Sequence, residues 1–161
     1  MEDPRIVLIA ESLPRDDLLA LYGCCDVFLS LHRSEGFERG MAEALQLGVD
    51  VIETDFDGNT DFCTDPLAHP VRWRKAPIPR GSYPFADGHS WAEPDLDHAV
   101  QLCQQVAAQR MATNKKSNVV SHCSDASVLS SYREQFSFMQ AGLRYRRRLE
   151  ELLRKLNADF D

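Results

Sequence analysis

Three short stretches rich in Val, Ile and Leu constrain the fold of this chain more than any other feature of its sequence. They cover residues 6–10, 27–31 and 49–54, and each has the length of a β-strand. Apolar runs without strict alternation are typical of strands that are covered on both faces, as in a parallel sheet. The runs therefore predict three buried parallel strands.

The residues between these runs follow helical patterns. Ser12 can cap a helix over residues 17–22, with Pro14 in its first turn. A second helix is predicted over residues 41–47, and Gly48 follows it at the position of a left-handed cap. Strands and helices that alternate with short links form βαβ units with right-handed crossovers. The sequence therefore predicts an α/β fold with a Rossmann-like parallel sheet and flanking helices.

The rest of the chain predicts a loop region and a long terminal helix. Residues 58–94 lack clear periodicity and contain most of the prolines, so we expect an ordered loop region on a binding face, with one candidate strand near residues 71–73. A helix is expected from Pro94 to about residue 108. The chain then divides into a partial Rossmann-like domain at residues 1–123 and a C-terminal helix at residues 124–161.

Composition limits the partners and the compartment. A formal net charge of −7 argues against nucleic acid, because phosphate backbones favour clustered Lys and Arg. The five cysteines form no CxxC pair, which favours reduced thiols, and no apolar run approaches the length of a membrane span. The first residues also lack the features of a signal peptide, so we expect a cytoplasmic protein.

Residues 30–45 contain the candidate ligand-binding groups that the sequence indicates. They connect the end of a predicted parallel strand to a helix, where ligands bind in open α/β sheets. Free backbone N–H groups near residues 37–39 suit a phosphate or a sugar hydroxyl. Glu43 lies further along the helix, and a carboxylate there can accept hydrogen bonds from ribose hydroxyls. The alternative is that Glu35 only favours the helix dipole and Glu43 is only solvated.

The segment S-E-G-F-x-x-x-x-A-E-A-L at residues 34–45 resembles the signature of family 4 glycosyltransferases, which have the GT-B fold. Four flanking parts of the chain resemble the same family in the same order. They are residues 18–30, residues 48–62 with their G-N-x-D-F loop, residues 91–95 and residues 145–150. The resemblance thus covers nearly all of the chain from Leu18 onward, and the order of motifs is more specific than the E-x7-E pair alone.

The resemblance implies a domain that binds a nucleotide-diphosphate sugar and supports transfer with retention of configuration. Glu35 would lie beside the donor sugar with His32 close to it, and these two are the catalytic candidates. Glu43 would bind the ribose. The further donor-binding candidates are Gly36, Phe37, Glu38 and Arg39, and the candidates of an acceptor-side loop are Gly58, Asn59 and Asp61.

The resemblance also implies partners for this half of an enzyme. The donor would be linked to GDP or UDP, and no metal is expected, in agreement with the lack of a DxD pair or of His/Cys ligand spacing. The acceptor would be a glycan, a lipid-linked sugar or a small molecule, bound with an N-terminal domain outside these 161 residues. The basic run at residues 144–148 is expected to be a solvated face paired with nearby glutamates, the alternative being contact with the inner face of a membrane.

Two departures from the family pattern favour a second hypothesis. Glu38 stands where the family often has Gly, and a carboxylate there would repel a diphosphate unless it points outward or pairs with Arg39. Arg5, Arg15 and Arg33 do not match the phosphate-binding residues of the family. The alternative function is therefore a non-catalytic Rossmann-like domain that binds or interacts only.

Overall fold

The computed structural model describes residues 3–64, 66–112, 134 and 136–158, with side chains up to residue 156. Its helices are α1 (Arg15–Cys24), α2 (Arg39–Gln46), α3 (Leu96–Ala112) and α4 (Phe138–Ala158). Its strands are β1 (Val27–Ser30), β2 (Asp50–Thr54), β3 (Ala68–Val71), β4 (Trp73–Pro77) and β5 (Ser90–Pro94). A 3-10 turn, Asp57–Asp61, follows β2.

Strands β1, β2 and β3 form a parallel sheet with β2 at its centre. The register aligns Val27 with Asp50 and Val51 with Ala68. Neighbouring residues of β2 point to opposite faces of the sheet. Val51 packs with the residues of α2, and Ile52 packs with those of α3. Burying one such side chain stabilises the fold by about 1.5–3 kcal/mol. The structure confirms a mixed α/β fold in which helices cover both faces of the central strand.

The prediction of a buried strand at residues 6–10 is wrong. The segment forms no strand, and the side chains of Ile6, Val7 and Leu8 are 75%, 80% and 87% exposed. An apolar run is buried only where another surface covers it, and in the described part of the chain the sheet ends at β1. Without a neighbouring strand to pair its backbone groups, the segment stays exposed to solvent.

Residues 58–94 contain more regular structure than the loop region expected there. Strand β3 pairs with β2, and β4 pairs with β5 as a two-stranded antiparallel hairpin. Prolines obscured these strands in the sequence: Pro70 lies in β3, at an edge of the sheet, where a missing N–H is tolerated. A connection over residues 78–89 joins β4 to β5 and carries Tyr83 and Phe85.

The helix expected after Pro94 is present as α3, which packs on β2 and β3. The terminal helix is described from Phe138, and the Ser137 hydroxyl accepts a hydrogen bond from the Gln140 amide at its start. Its predicted beginning near residue 124 lies outside the described residues. Large apolar side chains along α4, including Leu149 and Leu153, are exposed. Among the helices of the described residues, none is long and apolar enough to cross a bilayer.

A charged network ties α3 to the beginning of β2. The Arg110 guanidinium donates to the Asp50 carboxylate at 2.5 Å and to Asp26 at 2.9 Å. His69 Nε2 lies 2.8 Å from the other Asp50 oxygen. Burial alone would raise the pKa of Asp50, but the hydrogen bonds from His69 and Arg110 outweigh it and hold that pKa below its usual range. Asp50 is therefore an anchor between the sheet and α3.

Candidate functional site

Two loops predicted to belong to one site meet at the carboxyl end of the parallel sheet. A Cβ atom placed on Gly58 would lie 1.6 Å from the carbonyl oxygen of Gly36 and 2.7 Å from its carbonyl carbon. The two backbones are therefore in direct contact. The Ser34 hydroxyl donates to the Asp57 carboxylate at 2.8 Å and adds a second link. The structure thus brings together the loop between β1 and α2 and the 3-10 turn after β2.

The Asn59 side chain lies inside this turn and does not line a crevice. It is fully buried, and its Nδ2 donates to the backbone carbonyl of Thr54 at 3.0 Å. The Asn59 carbonyl accepts from the amides of Phe62 and Cys63. Asp61, the other polar residue expected on the acceptor side, is exposed at the end of the turn. Asn59 therefore shapes the turn, while Asp61 remains open to solvent.

Glu53 is a buried carboxyl group that the sequence did not mark as special. It lies near the carboxyl end of β2, is fully buried, and neither carboxyl oxygen has a hydrogen-bond partner among the described residues. Burial raises its pKa to about 7, and the nearby Asp55 carboxylate adds to the rise. Burial also raises the pKa of the neighbouring Cys63 thiol to about 12, so this cysteine is a poor nucleophile.

His32 is held by a hydrogen bond of its Nε2 atom. Its Nε2 lies 3.1 Å from the carbonyl oxygen of Phe56, which can only accept, so Nε2 carries the proton in that hydrogen bond. The buried Nδ1 atom has no hydrogen-bond partner in the described part of the chain. The Nε2 hydrogen bond therefore links the loop that follows β1 to the residues that follow β2.

Glu38 has a left-handed backbone conformation, with φ 58° and ψ 72° at the start of α2. Glycine adopts this conformation more readily than any other residue. Burial raises the pKa of Glu38, and repulsion from Glu35 adds to the rise, while His32 opposes it. Glu38 thus sits close to Glu35 and His32 and does not pair with Arg39, which lies 3.5 Å from Glu43 instead. Among the described residues, no side-chain hydrogen bond caps the start of α2.

Glu43 is bound by arginine. Its two carboxylate oxygens accept hydrogen bonds from Arg15 of α1 at 2.7 and 2.6 Å. The Arg15 hydrogen bond is the main reason why the pKa of Glu43 lies below its usual range. Beside this pair opens a cleft of about 440 Å³, which we call the α2 cleft. It is lined by Arg15, Phe37, Arg39, Ala42, Glu43, Gln46 and residues 136–138.

A second cleft of about 450 Å³ lies between the loop that follows β1 and the β4–β5 hairpin, and we call it the hairpin cleft. Its lining includes His32, Arg33, Glu35, Tyr83 and Trp91. Two hydrogen bonds of 2.8 and 2.9 Å join Arg33 to Glu93 of β5, and the Arg33 carbonyl accepts from the Ala92 amide at 3.0 Å. These bonds fix the hairpin against the loop.

The comparisons with known proteins do not extend this picture. No protein-family model matches the chain, and searches of curated proteins and of solved structures found no match. Within the described ranges, no group of three or more His, Cys, Asp or Glu side chains is arranged to hold a metal ion. The site is therefore defined by the geometry of the two loops and the two clefts.

The contact between Gly58 and Gly36 predicts a position-specific loss of stability. Gly58→Ala should lower the free energy of unfolding by about 2–4 kcal/mol, because the methyl group meets backbone that has to move. Gly36→Ala is the matched control: a Cβ there meets nothing within 4 Å, and the cost should stay below about 1 kcal/mol. Urea unfolding measures both, and equal losses would contradict the close approach.

The buried Glu53 predicts a fall in stability with rising pH. Below pH 4.5 its carboxyl is protonated in both the folded and the unfolded chain, and the stabilisation is complete. As the pH rises through about 7, the folded chain has to ionise a buried group and this stabilisation is lost. Relative to Glu53→Gln, the wild-type free energy of unfolding should fall by on the order of 3 kcal/mol over that range. Parallel pH profiles of the two proteins would argue against it.

Proposed function

We propose that this chain is the donor-binding half of a retaining GT-B glycosyltransferase, with a Rossmann-like sheet. The observation that carries the proposal is the contact of Gly58 with Gly36 at the carboxyl end of parallel strands. It joins the E-G-F loop and the G-N-x-D-F turn, the two segments that resemble the family most closely, into one site. Ligands bind at this end of open parallel sheets.

The α2 cleft offers the chemistry that a nucleotide diphosphate requires. The uncapped amides at the start of α2 can donate to phosphate oxygens, and the dipole of the helix favours their negative charge. Arg15 and Arg39 bring two cations to the same cleft. Ribose hydroxyls can donate to Glu43 while its carboxylate stays ionised beside Arg15.

Catalysis at this site would be mainly electrostatic. The amides of α2 and the two arginines would stabilise the departing diphosphate, and Glu35 would stabilise positive charge at the sugar carbon. Burial raises the pKa of Glu38, and repulsion from Glu35 adds to the rise.

Exposed apolar surface supports a partner for this chain. Ile6, Val7 and Leu8 and the leucines of α4 are open to solvent, and large exposed apolar patches are typical of interaction surfaces. We propose that the acceptor-binding domain covers them, and that the isolated chain binds donor weakly and transfers little sugar. The basic residues of α4, including Arg147, support an anionic membrane as the other candidate partner.

The second candidate function is a domain that binds without catalysis. The pairing of Glu43 with both Arg15 and Arg39 supports it, since a carboxylate that already holds two guanidinium groups has less capacity for ribose. Nucleotide binding separates the two functions, because only the donor-binding half requires it.

A thermal-shift series tests the donor site. We expect UDP, GDP or ADP, or a sugar conjugate of one of them, to raise the melting temperature by binding the folded chain. Glu43→Gln should weaken that binding at least about tenfold through the loss of a hydrogen bond to a charged group. Asp50→Asn is the control, since it breaks an arginine pair outside both clefts. No shift with any nucleotide at millimolar concentration would favour the non-catalytic alternative.

Two substitutions at Glu38 separate backbone strain from charge. Glu38→Gly should raise the free energy of unfolding by about 1 kcal/mol, because only glycine adopts a left-handed conformation without strain. It should also tighten binding of the nucleotide found in the thermal-shift series, through the loss of a nearby negative charge. Glu38→Gln should tighten binding without the gain in stability. If neither variant binds more tightly, Glu38 does not face the diphosphate.

A further inference from the structure

The hairpin cleft brings aromatic side chains to the loop that carries Glu35. Tyr83 lines the cleft and is 67% exposed, and Trp91, which is half-buried, also lines it. Trp73 and Phe85, the other two aromatic residues of the β4–β5 hairpin, do not line the cleft. The Trp73 indole N–H donates to the Asp55 carbonyl, and Phe85 is fully exposed and outside the lining.

The charges of this cleft favour a neutral ligand. Arg33 is held by both oxygens of Glu93, and its guanidinium lies 4.9 Å from the centre of the Trp91 ring, so its charge is compensated within the protein. Glu35 is exposed and has no ion-pair partner among the described residues. An exposed carboxylate in the lining accepts hydrogen bonds from hydroxyl groups and repels anions.

A saccharide combines the two properties that this lining recognises. Its ring presents C–H groups that pack on an aromatic face, and its hydroxyl groups donate to carboxylates. Aromatic walls with a few polar groups are the usual composition of small-molecule sites, and about 450 Å³ lies within their usual range.

We propose that the hairpin cleft binds a neutral saccharide, packed on Tyr83 and hydrogen-bonded to Glu35, and that this saccharide is the acceptor. The second part rests on the proposed function. Residues 32–35 of the loop that follows β1 line the hairpin cleft, and Phe37 of the same loop lines the α2 cleft. We expect an acceptor in one cleft and a donor in the other to meet at this loop.

The transfer step balances without any further reactant. A hydroxyl oxygen of the bound saccharide forms a bond to the anomeric carbon of the donor. The bond from that carbon to the diphosphate oxygen breaks, and the diphosphate leaves with the electron pair. The proton of the hydroxyl group passes to the departing diphosphate.

Saturation-transfer NMR on the full chain tests the binding part directly. The probes are maltotriose, cellotriose and mannotriose as neutral saccharides, and trigalacturonate as a charged one. We expect at least one neutral probe to receive saturation at millimolar concentration, and trigalacturonate to receive none. Tyr83→Ala should weaken the binding by about 5–10-fold, the scale of one aromatic contact. Phe85→Ala is the matched control, because it removes an exposed aromatic ring of the same connection outside the cleft.

The outcomes distinguish the saccharide site from the donor site. If a saccharide binds and depends on Tyr83 while no nucleotide shifts the melting temperature, the cleft is a saccharide site and the glycosyltransferase proposal fails. If a nucleotide binds and no saccharide does, the donor site stands and the saccharide site is overturned. Equal losses of saccharide binding in Tyr83→Ala and Phe85→Ala would also overturn it.

Discussion

The close approach of Gly58 to the carbonyl of Gly36 is the constraint on which the candidate site depends. A side chain at residue 58 would overlap backbone of the other loop, so only glycine permits the observed spacing. The 3-10 turn after β2 is thereby held against the loop before α2. The Ser34–Asp57 hydrogen bond reinforces the same contact from side chains. Both clefts use the loop over residues 32–38 as a wall, so their shapes depend on where this contact places it.

Beneath this contact the protein buries polar groups at an energetic cost. Glu53 and Thr54 are fully buried, and their side-chain oxygens have no hydrogen-bond partner within the residues that the structure describes, while the Asn59 amide is bonded there through its Nδ2. Each unsatisfied group costs about 1–3 kcal/mol. They lie at the end of β2 and in the turn that follows, which is where the two loops meet. Departures from the ordinary rules of protein interiors concentrate at functional sites, where the surrounding fold supplies the compensating stability.

Arginine–carboxylate pairs organise the surface of a chain with a net charge of −7. Arg15 joins α1 to Glu43 of α2, and Arg33 joins the loop after β1 to Glu93 of β5. Each pair connects elements that are distant in sequence, and each stands beside one of the two clefts. Planar guanidinium groups that hold both carboxylate oxygens restrict orientation as well as distance. The arginines therefore position the walls of the clefts in addition to providing charge.

The sequence by itself determined the parallel β1 and β2, the helices α2 and α3, and the two loops that form the site. These features follow from local patterns: apolar runs, helix ends and glycine-rich turns. Only the tertiary structure decided that residues 6–10 are exposed, that β4 and β5 form a hairpin, and that Glu43 pairs with Arg15. Burial, pairing and a raised pKa such as that of Glu53 depend on which distant surface covers a residue. A local sequence pattern does not show which surface covers a residue, because parts of the chain that are distant in sequence come into contact only when the chain folds.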